Sequence, residues 1–258
     1  MLVVGGTWST SAQSAVWTDA VERVARARGD RSGNVARLDV RWFPLLPLAY
    51  AGGLAALYRG NYEYIRATVI GARVRDREGA LPVVGRLQPW LPFQHHELAA
   101  EVIALRASGE VVDQDVVNAL SSGRRGKRFT PVSDHLHSRL RPRLQRLIPD
   151  DSAFDETFDR FEILIAVLMV DQRTQASPNA DEAWTGPWIP DGFSGRVTWR
   201  DRYARGDRRL ERQMYLELKR RQNSWEPLIA GLFDGSVERA LAAFEEYLPS
   251  IEHDRNRH

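Results

Sequence analysis

The chain has 258 residues, 43% hydrophobic and 27% charged, with a formal net charge of +2. That balance allows a sizeable core and excludes wholesale disorder, and a charge this small excludes a global affinity for nucleic acid. The absence of cysteine excludes disulfide frameworks, thiolate chemistry and zinc ribbons, and it suits a reducing cytoplasm.

Residues 1–13 lack the basic start and apolar run of a secretory signal. Leu2 to Val4 reads at most as a short strand. Ala12, Ala15, Val16, Ala20, Val21 and Val24 then recur at helical spacing with charged residues between them, which predicts an amphipathic helix ending near Gly29. The uncharged run Trp42 to Tyr58 is shorter than the about 20 apolar residues of a membrane span. It is also broken by Pro44, Pro47, Gly52 and Gly53, so it reads as a buried segment, and no membrane partner is expected.

Residues 50–62 read as helix, tight turn, helix. Gly53, Gly60 and Tyr62 fall where a tetratricopeptide unit places its small residue, turn glycine and turn tyrosine. Ile65 stands where that unit expects alanine, and no second copy follows at a period of about 34 residues. One helical hairpin is the reading. Residues 75–92, with Gly79, Pro82, Gly85, Pro89 and Pro92, read as loop, with Leu81 to Val84 as a short strand at most.

Helices are predicted at about 94–107 and 112–121. Thr130 before Pro131 is a helix start, a capping hydroxyl followed by proline at the first helical position. Pro142 should kink or split that helix. Asp150, Asp151 and Ser152 offer caps for the strongest helix, roughly 152–172, in which Phe154, Phe158, Phe161, Ile165, Leu168 and Met169 follow the 3.6 period. Its half from Ile163 to Val170 is apolar all round, as in a helix at the centre of a bundle.

Residues 175–195 carry Pro178, Pro187, Pro190 and several glycines, and at this length the stretch is a boundary or a functional loop. It would divide 1–174 from 196–258 within one helical region. Two helices close the chain, at about 207–222 and 236–247, the second capped by Ser236 and stopped by Pro249. The fold class is all-α: an irregular helical bundle or short helical array with one tetratricopeptide-like hairpin.

Few constellations carry chemistry. No phosphate-binding glycine loop or nucleophile elbow is present, and no cofactor is expected. His95-His96-Glu97 and His135-x-His137 have the wrong spacing to share a helix face, so solvated histidines are the simpler reading and no metal is expected. Asp150, Asp151, Asp155, Glu156, Asp159 and Glu162 form an acidic run. Its first members are explained by the helix macrodipole, and no acid/base partner for a catalytic pair is identifiable. Between Gly123 and Leu147 stand Arg124, Arg125, Lys127, Arg128, Arg139, Arg141, Arg143 and Arg146 against one acid, Asp134. This segment either pairs with the acidic run that follows it or grips nucleic-acid phosphates. Trp184 and Trp188, in the proline-rich loop, are either core residues or a partner-binding hot spot.

Three stretches, 38–57, 128–172 and 224–247, together resemble the helical C-terminal region of bacterial multidomain proteins suspected of antiphage defence. The resemblance rests on packing residues and implies a sensing, scaffolding or oligomerising role. It implies an upstream effector domain, sirtuin-like or TIR-like, and the start at Met1 a few residues ahead of a helix suits that arrangement. No catalytic residue follows from it. The expectation is a non-enzymatic cytoplasmic interaction module with a protein partner or self-association. Nucleic-acid binding through residues 124–146 is the alternative, and an enzyme with an unfamiliar helical site the third reading.

Overall fold

The computed structural model describes residues 2–26, 40–76, 79–93, 96–126, 130–176, 195–200 and 206–256. Among these residues helices dominate, and the one sheet is a two-stranded hairpin. The all-α class is therefore the observed one.

The chain opens with a helix, α1 (Leu2–Trp8), where the sequence suggested a strand. The reason is tertiary. Gly6 lies against the backbone of Gly52, so close that a Cβ would collide with the Gly52 carbonyl oxygen. Asn61 then ties the end of α1, donating to the carbonyls of Gly6 (3.2 Å) and Ser9 (3.0 Å). The amphipathic helix follows as α2 (Ser14–Arg26). The expected hairpin is α3 (Leu45–Tyr58) and α4 (Tyr62–Ile65), with Gly60 left-handed (φ 70°) between them, and α4 runs on as a π-helical turn over Arg66–Gly71.

The stretch read as a loop is ordered differently. Strands β1 (Arg73–Asp76) and β2 (Gly79–Pro82) pair antiparallel, Arg73 opposite Pro82 and Asp76 opposite Gly79. Tight helical turns at Val83–Arg86 and Leu91–Phe93 come next. Val74, Val83, Val84, Leu87, Leu91 and Phe93 are all buried, so the apolar residues between the prolines anchor this segment to the core.

Then come α5 (Glu97–Ala107), α6 (Gln114–Ser121), α7 (Pro131–Leu144) and α8 (Asp151–Ala176). Thr130 precedes α7 as expected, but its hydroxyl caps nothing and accepts a hydrogen bond from Trp199 Nε1 (3.1 Å). Helix α7 runs through Pro142 and ends two residues later. The Asp150 carboxylate caps α8, accepting from the Ala153 N–H (2.6 Å). Every residue from Ile163 to Leu168 is buried, which places α8 at the centre. The chain closes with α9 (Val197–Arg200), α10 (Leu210–Arg221), α11 (Glu226–Ile229) and α12 (Val237–Asn256).

Helices α3, α10 and α12 pack directly on α8, whereas α7 packs on α3 and α5 and reaches α8 through side chains. Residues on both sides of 175–195 share one core, with Phe161 and Leu164 in the same cluster as Leu218 and Phe244. Pro249 does not stop α12, which continues to Asn256. Past the proline Ile251 is buried and Arg255 pairs with buried Glu211, and these contacts offset the one helical hydrogen bond that proline removes.

Because the atom facing Gly6 is backbone and cannot swing away, Gly6→Ala should lower the unfolding free energy in urea by about 1–3 kcal/mol. Val16→Ala, at a 63% exposed position of the neighbouring helix, should change it by less than about 0.5 kcal/mol.

Candidate functional site

The most unusual chemistry lies between α7, α8 and the segment 195–200. Helix α8 carries Asp159 and Glu162 one turn apart, both fully buried. A carboxylate out of water needs a cation or a set of donors, and the fold brings both. Glu162 Oε1 accepts from Ser133 Oγ of α7 (2.6 Å) and from the Tyr50 hydroxyl of α3 (3.3 Å), while Oε2 accepts from the Arg196 backbone N–H (3.0 Å). Gly195 lies flat on this carboxyl, and a Cβ there would collide with Oε2.

Around this centre sits a ring of charges. Arg200 pairs with Asp159 (2.8 Å) and approaches Asp155 (3.5 Å). Arg196, only 7% exposed, lies between Asp155 (3.5 Å) and Asp134 (3.8 Å) and over the rings of Phe158 and Trp199. His137 Nε2 meets Asp155 Oδ1 at 2.6 Å, with its ring against Phe154 and Phe158. From the far side Arg255 donates to the Val197 carbonyl (3.3 Å) while pairing with Glu211. Residues 195–200 thus form a strap held by α7, α8 and α12 at once.

Burial sets the protonation of this group. Desolvation pushes the Glu162 carboxyl up to about 8, helped by the charge of Asp159 and opposed by Ser133 and Arg196. Burial and the Arg196 charge push His137 down to about 4, against the pull of Asp155. Burial pushes Asp155 upward, but His137, Arg196 and Arg200 outweigh it and hold this carboxyl below its ordinary range. Tyr50 is driven well above its usual range by burial and by Glu162. Burial thus favours an uncharged imidazole on His137 and the protonated form of Glu162 at neutral pH, with the three donors on Glu162 opposing the second.

The basic segment behaves differently from this cluster. Arg141 is structural: it pairs with Asp151, donates to the carbonyls of Ile148 and Pro149 (both 2.9 Å) and lies over Phe154. Arg125 pairs with Glu110 (2.5 Å). Arg124, Arg139, Arg143 and Arg146 are exposed. Among the described residues of this segment Arg141 joins the acidic run, whose Asp155 and Asp159 take Arg196 and Arg200. Lys127, Arg128, Trp184, Trp188 and His95 lie outside the described residues. Among the described residues no group of three His, Asp or Glu is arranged to hold a metal, and no helix is long and apolar enough to cross a membrane.

Reading the acidic run through the macrodipole covers Asp150 to Glu156 but misses Asp159 and Glu162. The signal that finds them is positional: each follows a core phenylalanine, Phe158 and Phe161, on the turns that lead into the stretch of α8 apolar on every side. Arg196 and Arg200 carry no local signal, because their partners are more than 30 residues away. No family model, curated protein or solved structure matches this chain.

The depressed His137 gives a sign that can be checked. A base whose folded value lies below its free value of 6.5 contributes stability above pH 6.5 that is lost as pH falls toward about 4. Because Glu162, whose value is raised, has the opposite dependence down to its ordinary range, the His137 contribution is read as a difference: over that window urea resistance should fall distinctly more, or rise less, in wild type than in His137→Gln, as measured by denaturation midpoints at half-unit pH steps.

Proposed function

We propose that the chain is a non-enzymatic helical interaction module, the sensor or assembly region of a bacterial defence effector, working in the cytoplasm. The resemblance of its three helical stretches to the C-terminal regions of such proteins supports the family of roles. The observation that carries the reading is on α1, where Val4 and Trp8, one turn apart, are 57% and 71% exposed. Arg59, at the end of α3, stacks over the Trp8 ring at 5.5 Å, and its neighbour Tyr58 is also exposed.

Tryptophan, tyrosine and arginine are the residues that dominate interface energetics. This patch holds both a ring and a cation, so two copies related by a twofold axis satisfy each other's cation–π and apolar contacts. The partner we assign to it is therefore a second copy of this chain. Sedimentation velocity across a concentration series should show reversible dimers. Trp8→Ala should weaken them by about tenfold or more without lowering the melting temperature. Wild-type protein that stays monomeric at high micromolar concentration would count against the proposal.

A second reading rests on α7. Arg139 and Arg143 on the helix and Arg146 just past its end, at i, i+4 and i+7, are exposed on one side, the spacing of a row of phosphate contacts. If they grip nucleic acid, reversing all three to glutamate abolishes binding to a duplex of arbitrary sequence. Neutralising one lowers the slope of log affinity on log salt by about 0.9. Binding unaffected by either change rejects this reading.

A further inference from the structure

The strap at 195–200 differs from an ordinary helix connection in where its contacts fall. Six consecutive residues are held by a backbone N–H on Glu162, a carbonyl on Arg255, an indole on Thr130 and two guanidinium groups on Asp134, Asp155 and Asp159. At one end the strap covers a fully buried carboxyl: Gly195 presses directly on Glu162, and Ser133 and Tyr50 hold the other oxygen. We propose that this strap is a proton-controlled latch, seated while Glu162 carries a proton and lifted when that proton is lost to solvent.

The argument is one of linkage. A covered Glu162 keeps its proton because it is fully buried and ionisation would place a second buried negative charge beside Asp159. An uncovered Glu162 is an ordinary surface carboxyl that ionises readily. Opening the strap therefore releases a proton, and rising pH favours the open form. The groups facing Glu162 are Tyr50 from α3, Ser133 from α7, Asp159 from α8, Arg196 from the strap and Tyr247 from α12. Both tyrosines are themselves held protonated by burial, so Glu162 is the member of this set that gives up a proton first as pH rises.

The geometry also gives the latch its sign under mutation. Glu162→Gln keeps an acceptor for the Arg196 N–H and a polar amide beside the hydroxyls of Ser133 and Tyr50 but has no proton to lose, so it locks the strap. Gly195→Ala drives a methyl group into the carboxyl and lifts the strap at any pH. Asp159→Asn removes the neighbouring negative charge that holds the proton on Glu162, so the transition moves to lower pH.

The test is amide hydrogen exchange of residues 195–200 in the full chain from pH 6 to pH 9, corrected for the intrinsic pH dependence of exchange. In wild type, protection should fall by up to tenfold per pH unit from pH 6 to about 8 and level off above that. In Glu162→Gln it should stay constant throughout. Protection of the Ile163 to Leu168 core, followed in the same spectra, should hold in both proteins, which separates latch opening from global unfolding. A flat wild-type profile overturns the proposal by itself, whatever the variants do. A Glu162→Gln protein that retains the wild-type pH dependence overturns it equally.

Discussion

Two carboxylates in the buried middle of α8 constrain most of this molecule. Asp159 and Glu162 share the sequence segment, and the burial, of Phe158, Phe161 and the apolar stretch Ile163 to Leu168. Such groups cost several kcal/mol when uncompensated, so the chain must bring donors to the middle of α8. It does so in two ways, a guanidinium for Asp159 and three neutral donors for Glu162. Half of these partners come from residues 195–200, which are therefore obliged to cross α8 at this level. The dependence extends outward. Arg255 anchors the strap through Val197 and pairs with buried Glu211, which requires α12 to continue past Pro249.

Such a cluster is a poor source of stability, because desolvation of the charges offsets most of their attraction. The apolar core supplies the stability, and the cluster supplies position. Leucine, isoleucine and phenylalanine contacts tolerate a helix sliding by a fraction of a turn. A carboxyl that needs Ser133, Tyr50 and the Arg196 N–H together does not. This explains how α7, whose backbone packs on α3 and α5, is held at one height against α8 through Ser133 and His137.

Sequence periodicity made the regular part of the fold legible: α2, α3, α7, α8, the start of α12 and the Asp150 and Ser236 caps all lie where spacing and capping chemistry put them. The departures share a cause. Helix α1 exists because of Gly52, the hairpin at 73–82 because of buried Val74 and its neighbours, and the end of α12 because of Glu211. In each case a distant contact overrides a local preference. The cluster was half visible, in acids that follow core phenylalanines, while its arginines were hidden by sequence distance. Adjacent opposite charges suggested that residues 124–146 neutralise 150–162, and among the described residues Arg141 alone does so. Helical geometry sends Arg139 and Arg143 outward, whereas Arg196 and Arg200 arrive over the buried face.

That division of charge gives α7 two faces with different duties. Ser133, Leu136, His137 and Leu140 face inward, and Arg139, Arg143 and Arg146 face solvent. Arg141 clamps the C-terminal end of α7 to the turn that begins α8. A ligand on the outer arginines and a proton on Glu162 would thus act on the same short helix, one from outside and one through the 2.6 Å contact of Ser133. Coupling between two sites requires an element that both can bias. Among the described elements α7 meets that requirement most directly, since a shift that loosens Ser133 also changes what Glu162 can hold.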